Sequence, residues 1–134
     1  MANIQQAVPF FMVTSMDASL KFYVDGLGFV VTITWTPHGK IEWCWLKAGD
    51  GAMMLQEYRP GMAKAELGRG VSVCFMCEDA IAIYHEITAR SVVAKRPFVG
   101  NGLWVVSVTD PDGYQIAFES PADAPEETEY TATS

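Results

Sequence analysis

AVPFFMVTSMDASLKFYVDGLGF, residues 7–29, changes its hydrophobic period once, and that change sets the fold. Its first part, Ala7 to Thr14, is an apolar, β-prone run. After Asp17, which is placed to cap a helix, Leu20, Tyr23, Val24 and Leu27 recur at the spacing of one helical face, and Gly28 is placed to end it. Three more β-prone runs follow, FVVTITWT, IEWCWLKA and AMMLQEY, parted by turn signals at Pro37-His38-Gly39-Lys40 and Ala48-Gly49-Asp50-Gly51. The first half therefore reads βαβββ.

The same order returns after the connector RPGMAKAELGRG. VSVCFMC reads as a strand, Asp79 to Arg90 as a helix with Ile83 and Ile87 on one face, and VVAKRP, LWVVSVT and YQIAFE as strands. The two units share architecture and little residue identity. One four-stranded sheet with one helix has too little core to stand alone, so the units pack together, or with another chain, around a curved mixed sheet. This is an α+β arrangement whose natural pocket lies on the sheet's inner face. The expected domain covers residues 5–120, with units at about 7–58 and 71–120, and residues 121–134 form an acidic tail read as solvated and little ordered.

Composition narrows the function classes. Half of the 134 residues are hydrophobic, enough for a real core, yet no apolar run approaches the roughly 20 residues of a membrane span. The N-terminal residues also lack the charged-then-apolar order of a secretory signal. A net charge of −7 disfavours nucleic acid and anionic membranes as partners. Three cysteines make no disulfide framework, which fits a reducing compartment, so the expected location is cytoplasmic. Cys74 and Cys77 spell CFMC, but inside a strand positions three apart face opposite ways, and the reading is two buried small hydrophobes. The chain has no nucleophile elbow and no glycine-rich phosphate loop, and GRG at 68–70 is not followed by a helix start.

The paired βαβββ units, the FYVDGLGF segment and TDPDGYQIAFE at 109–119 resemble the vicinal oxygen chelate superfamily, which includes glyoxalase I, extradiol dioxygenases, methylmalonyl-CoA epimerase and bleomycin-resistance proteins. The resemblance implies the glyoxalase/bleomycin resistance fold, and a divalent metal held by His, Glu or Gln from the first and last strand of each unit. The matching positions are Val8, Met54, Ser72 and Ala117, with Val71 or Val73 as a one-residue slip of the third. None is a normal metal ligand, since aliphatic side chains offer no lone pair. Even with slips, Gln56, Glu57, Ser72 and Glu119 supply at most two carboxylates and no imidazole. His38 falls in a turn and His85 on the polar side of the second helix, where both read as solvated. The implied reading is no metal, no cofactor and no catalytic residue, as in the bleomycin-resistance branch, whose members bind a drug as dimers. The enzyme alternative is a metal-dependent lyase, isomerase or dioxygenase whose ligands sit in another register.

Strand parity proposes the pocket wall. Trp43 and Trp45 project from one face of one strand, and Trp35 and Trp104 lie on neighbouring strands. Phe10 and Met12 share parity with Val8, Gln56 with Met54, Cys74 with Ser72, and Gln115 and Glu119 with Ala117. An apolar wall with a few polar groups suits a small organic ligand, aromatic or cationic, with Glu119 as the anionic contact. The expected assembly is a homodimer, in which the halves pair within a chain or swap between chains.

Overall fold

The computed structural model describes residues 3, 5–59, 67, 68 and 70–131, so most of the connector between the two halves lies outside the described residues. The first half consists of β1 (Phe10–Val13), α1 (Met16–Leu20), β2 (Val30–Trp35), β3 (Trp43–Ala48) and β4 (Gly51–Glu57). The second consists of β5 (Ser72–Met76), α2 (Ala80–Ala89), β6 (Phe98–Gly100), β7 (Leu103–Thr109) and β8 (Gln115–Pro121). Each forms a four-stranded mixed sheet, in the orders β1-β4-β3-β2 and β5-β8-β7-β6, with β1/β4 and β5/β8 parallel. The α+β fold read from the sequence is the one observed.

One face of each sheet is buried. Phe11, Val13, Cys44, Leu46, Met53 and Leu55 from the first sheet join Val106, Val108, Ile116 and Phe118 from the second in a single hydrophobic cluster, with Met16, Tyr23 and Ile87 from the helices. Burial of this apolar surface stabilises the two halves jointly, since the cluster draws on both.

A polar fastener crosses the same junction. In the turn Asp110-Pro111-Asp112-Gly113, Gly113 takes φ 94°, a left-handed conformation that glycine adopts without strain. Asp110 Oδ1 accepts from the Asp112 and Tyr114 backbone N–H groups at 2.8 and 2.9 Å, while Oδ2 accepts from the buried Tyr23 hydroxyl at 2.8 Å. The Asp112 carboxylate accepts from the Thr14 hydroxyl at 2.6 Å, the Tyr114 hydroxyl donates to the Met12 carbonyl at 3.0 Å, and the Phe11 and Tyr114 rings stack with centroids 3.9 Å apart. The FYVDGLGF and TDPDG segments are thus in contact, and their joint role is to lock one half to the other.

Several local expectations change. Ser15, not Asp17, caps α1: its backbone is extended and its hydroxyl accepts from the Ala18 N–H at 3.2 Å, leaving Asp17 in the first turn, where its charge complements the helix dipole. The helical stretch continues past α1 as a π-helical segment, Lys21–Gly26, with Leu27 N–H bonded to the Phe22 carbonyl at 2.9 Å. VVAKRP is not a strand, because Pro97 has no N–H to give and the edge strand β6 begins only at Phe98.

The acidic segment 122–131 is ordered against the second sheet rather than solvated. Val99 N–H bonds the Thr128 carbonyl at 2.9 Å, Glu127 N–H the Val99 carbonyl at 2.8 Å and Tyr130 N–H the Pro97 carbonyl at 2.8 Å. The Glu126 carboxylate accepts from the Asn101 and Gly102 N–H groups, and the Tyr130 hydroxyl meets His85 Nε2 at 2.8 Å. This strap covers the open edge of β6, the place where an unpaired strand invites other chains.

Candidate functional site

The pairing of β1, β4, β3 and β2 lines up two full rows across the first sheet. Phe10, Met54, Trp45 and Ile33 form one, and Met12, Gln56, Trp43 and Trp35 the other. All eight lie on the face opposite the buried cluster, because alternate strand residues point to opposite sides. Phe10 is 47%, Ile33 54% and Trp35 44% exposed, and the other five are half-buried. These two rows carry three indoles, a phenyl ring and two thioethers with Gln56 as their one polar side chain, and the exposed Lys47 follows Trp45 on the same face of β3. The Arg59 guanidinium sits 5.3 Å from the Trp35 ring centroid, so the panel already holds one cation by its π-face.

The second sheet presents a more polar face. Ser72 pairs with Gln115, Cys74 with Ala117 and Met76 with Glu119, while Ser107 and Val105 of β7 stand opposite Ala117 and Glu119. Ser72 and Gln115 are therefore neighbours, while Glu119, the carboxylate on this face, lies four residues further along β8 beside Met76. Trp104 is not with them. It lies one residue out of phase with Val105, on the helix side, packed edge-on against Tyr130 at 6.0 Å.

The thiols also differ from expectation. Cys44 is buried, but Cys74 is exposed and Cys77 half-buried. Burial pushes the Cys44 thiol up to about 11, burial together with the Glu119 charge raises Cys74, and burial raises Cys77. Thiols shifted upward stay protonated at neutral pH, so the CFMC pair lacks the thiolate that redox exchange needs.

The donor chemistry at the four family metal positions does not fit a divalent ion. Val8 lines a groove of about 580 Å³ with Pro9, Ala52, Val73 and Cys74, where Asp50 is the one carboxylate and Gln6 the one amide, Ala117 is 7% exposed and offers only a methyl group, Met54 brings a thioether and Ser72 a hydroxyl. Among the described residues no three His, Cys, Asp or Glu side chains cluster as a metal site. The register-slip alternative Glu57 is engaged elsewhere: it accepts from the Met16 N–H at 2.7 Å and pairs with Lys40 at 2.7 Å, which together hold its carboxyl below the usual range. His38 Nδ1 lies 2.7 Å from Glu42, and His85 binds the strap.

Residues 4–118 match the sequence profile described as the Glyoxalase/Bleomycin resistance protein/Dioxygenase superfamily. The chain belongs to that superfamily. No curated protein sequence matches it. Among solved structures, superfamily architecture recurs in a bleomycin-binding protein complexed with bleomycin, at 20% identity and TM-score 0.69 over 89% of this chain and all of that one. It recurs in TioX from Micromonospora sp. ML1, at 20% identity and TM-score 0.70, covering 88% of this chain and 99% of that one. A bleomycin resistance determinant encoded on the transposon Tn5 aligns at 21% identity and TM-score 0.69, over 88% and 98% of the two chains. At one identical residue in five, these likenesses establish the fold and leave function to the site.

Two contributors to the panel are not legible in the sequence. Ile33 completes the first row, but an irregularity in pairing between Val31 and Ile33 hides its parity. Arg59 follows β4 directly, and nothing in its sequence context points to an indole on β2. The presence of a Trp at every second position from 43 to 45 was the one signal for a panel, and it was sufficient for that strand.

Proposed function

We propose that this chain is a metal-independent binding protein of the superfamily's bleomycin-resistance branch, which captures a small aromatic or cationic organic molecule in the cytoplasm as a homodimer. The observation that carries the reading is the two-row panel of Phe10, Met12, Ile33, Trp35, Trp43, Trp45, Met54 and Gln56. Monomeric proteins rarely expose a contiguous apolar face of this kind, and when they do it is a binding surface. Indole and phenyl faces stack on planar groups and hold cations, each contact worth about 0.5–2 kcal/mol.

Two further points support it. The second sheet's open face offers Glu119, Gln115 and Ser72 as polar contacts, so a second copy laid over the panel would close an apolar floor under a polar, anionic roof. Val8 and Ala117 offer no electron pair, and Met54 and Ser72 bring only a thioether and a neutral hydroxyl, a donor set without the imidazole or carboxylate groups that hold a divalent Lewis acid. Sequestration of an antibiotic of the bleomycin type is the specific role this arrangement suits.

The test is elemental analysis with thermal unfolding. Purified protein should carry well under one transition-metal ion per chain, and a chelator should leave its Tm unchanged. One tightly held ion per chain, with a Tm that falls on chelation, would restore the enzyme reading.

A further inference from the structure

A second cleft shares no residue with the panel. It has a volume of about 550 Å³ and opens between the β3–β4 turn, β5 and α2. Its floor is aromatic: Phe29 meets Phe75 at 5.3 Å and 69°, and Phe75 lies 5.8 Å from Phe118. All three rings belong to the side of the sheets that carries the helices, so none is shared with the panel. Ile83 closes one wall, and two carboxylates, Asp50 and Glu86, stand among the lining residues, with the Arg90 guanidinium bordering the cleft at the Gly28 and Glu86 end, away in sequence from the β3–β4 turn that carries Asp50.

The charges are not equivalent. Glu86 pairs with Arg90 at 3.2 Å, whereas Asp50 forms no ion pair among the described residues. Gly51 keeps the turn end open, since a Cβ there would press on the Phe75 ring at 3.3 Å. An aromatic floor beneath an unpaired carboxylate matches one ligand chemistry: a compact organic cation with an apolar body. A volume of this size is within the usual range for small-molecule sites, about 300–1,000 Å³. An inorganic cation would gain nothing from the three rings, and an anion would face Asp50 and Glu86.

We infer that this cleft is a second binding site, separate from the aromatic panel, for a quaternary or protonated amine carrying an aromatic or branched apolar group. The π-faces and Asp50 act together on the positive centre, while Ile83 and Phe75 contact the apolar part.

The test is isothermal titration of the full chain with phenyltrimethylammonium and, separately, with its uncharged carbon isostere tert-butylbenzene. The expected result is saturable binding of the cation and at least tenfold weaker binding of the isostere. Ile83→Trp, which fills the cleft, should abolish the cation's binding there. Asp50→Asn should weaken it roughly threefold, as an exposed charge contact does. The double variant Trp43→Ala/Trp45→Ala should leave this binding unchanged, so loss of the panel and loss of the cleft are read independently. No saturable binding, equal binding of the isostere, or binding that is lost with the panel and kept in Ile83→Trp would each overturn the proposal. If Ile83→Trp fails to fold, Asp50→Asn decides, because it alters an exposed turn residue alone, and an unchanged affinity there overturns the charge assignment.

Discussion

The Tyr23–Asp110 hydrogen bond is a single contact that joins the two halves of the chain from inside the core. Burial raises the Tyr23 hydroxyl far above its ordinary range, with the Asp110 charge adding to it, and burial likewise raises the Asp110 carboxyl. Tyr23→Phe removes the donor and leaves a buried carboxylate oxygen unsatisfied, so chemical denaturation should show a loss of about 1–3 kcal/mol. Glu57 behaves in the opposite sense. Lys40 and the Met16 N–H lower its folded-state value, so its contribution is full above the unfolded value, near 4.3, and is lost as pH falls through the folded one. For Asp110 the folded value is raised, so its contribution is present below the unfolded value, near 3.9, and lost as pH rises through the folded one. Glu57→Gln should therefore lower Tm at pH 7 and flatten its decline below about pH 5, measured by thermal melts across pH. The buried Ser19 hydroxyl has no hydrogen-bond partner among the described residues, and Ser19→Ala should leave stability unchanged or raise it by about 1 kcal/mol.

At the scale of elements, the strap 122–131 is the clearest departure from what the sequence suggests. Four acidic residues in PADAPEETEY read as a solvated run, and nothing local reveals that Glu126 caps the Asn101–Gly102 turn or that Tyr130 docks on His85 and Trp104. Those partners are 24 to 45 residues distant, beyond the reach of periodicity. Deleting residues 122–134 should expose β6 and lower Tm, and the truncated chain should self-associate with rising concentration in light scattering. The strands and helices themselves were legible where period and composition agree. IEWCWLKA contains β3, AMMLQEY covers β4 from its second residue onward, and Asp79 to Arg90 frames α2 by its two caps. VVAKRP has the β-branched residues of a strand, but its proline cannot donate to a ladder.

For the whole molecule, the decisive feature is that each sheet buries one face within the chain and shows the other. The panel is legible in the sequence strand by strand, since parity groups Phe10 with Met12, Trp43 with Trp45 and Met54 with Gln56, whereas the pairing of β1, β4 and β3 that sets these groups side by side is not. Trp104 was misassigned because parity along a strand does not say which side faces the helices. If a second copy covers the panel, Ile33→Asp should place an unpaired charge in a dry interface and weaken dimerisation at least tenfold in sedimentation equilibrium, with the helical circular dichroism unchanged.

Three of the four tryptophans lie on that panel, so intrinsic fluorescence reports on it directly. The most direct measurement is a titration of the protein with a bleomycin-type drug in the presence of excess chelator, following tryptophan emission. The account predicts saturable quenching that disappears in Trp43→Ala/Trp45→Ala. Emission that stays unchanged until a divalent ion is supplied in excess of the chelator would contradict it.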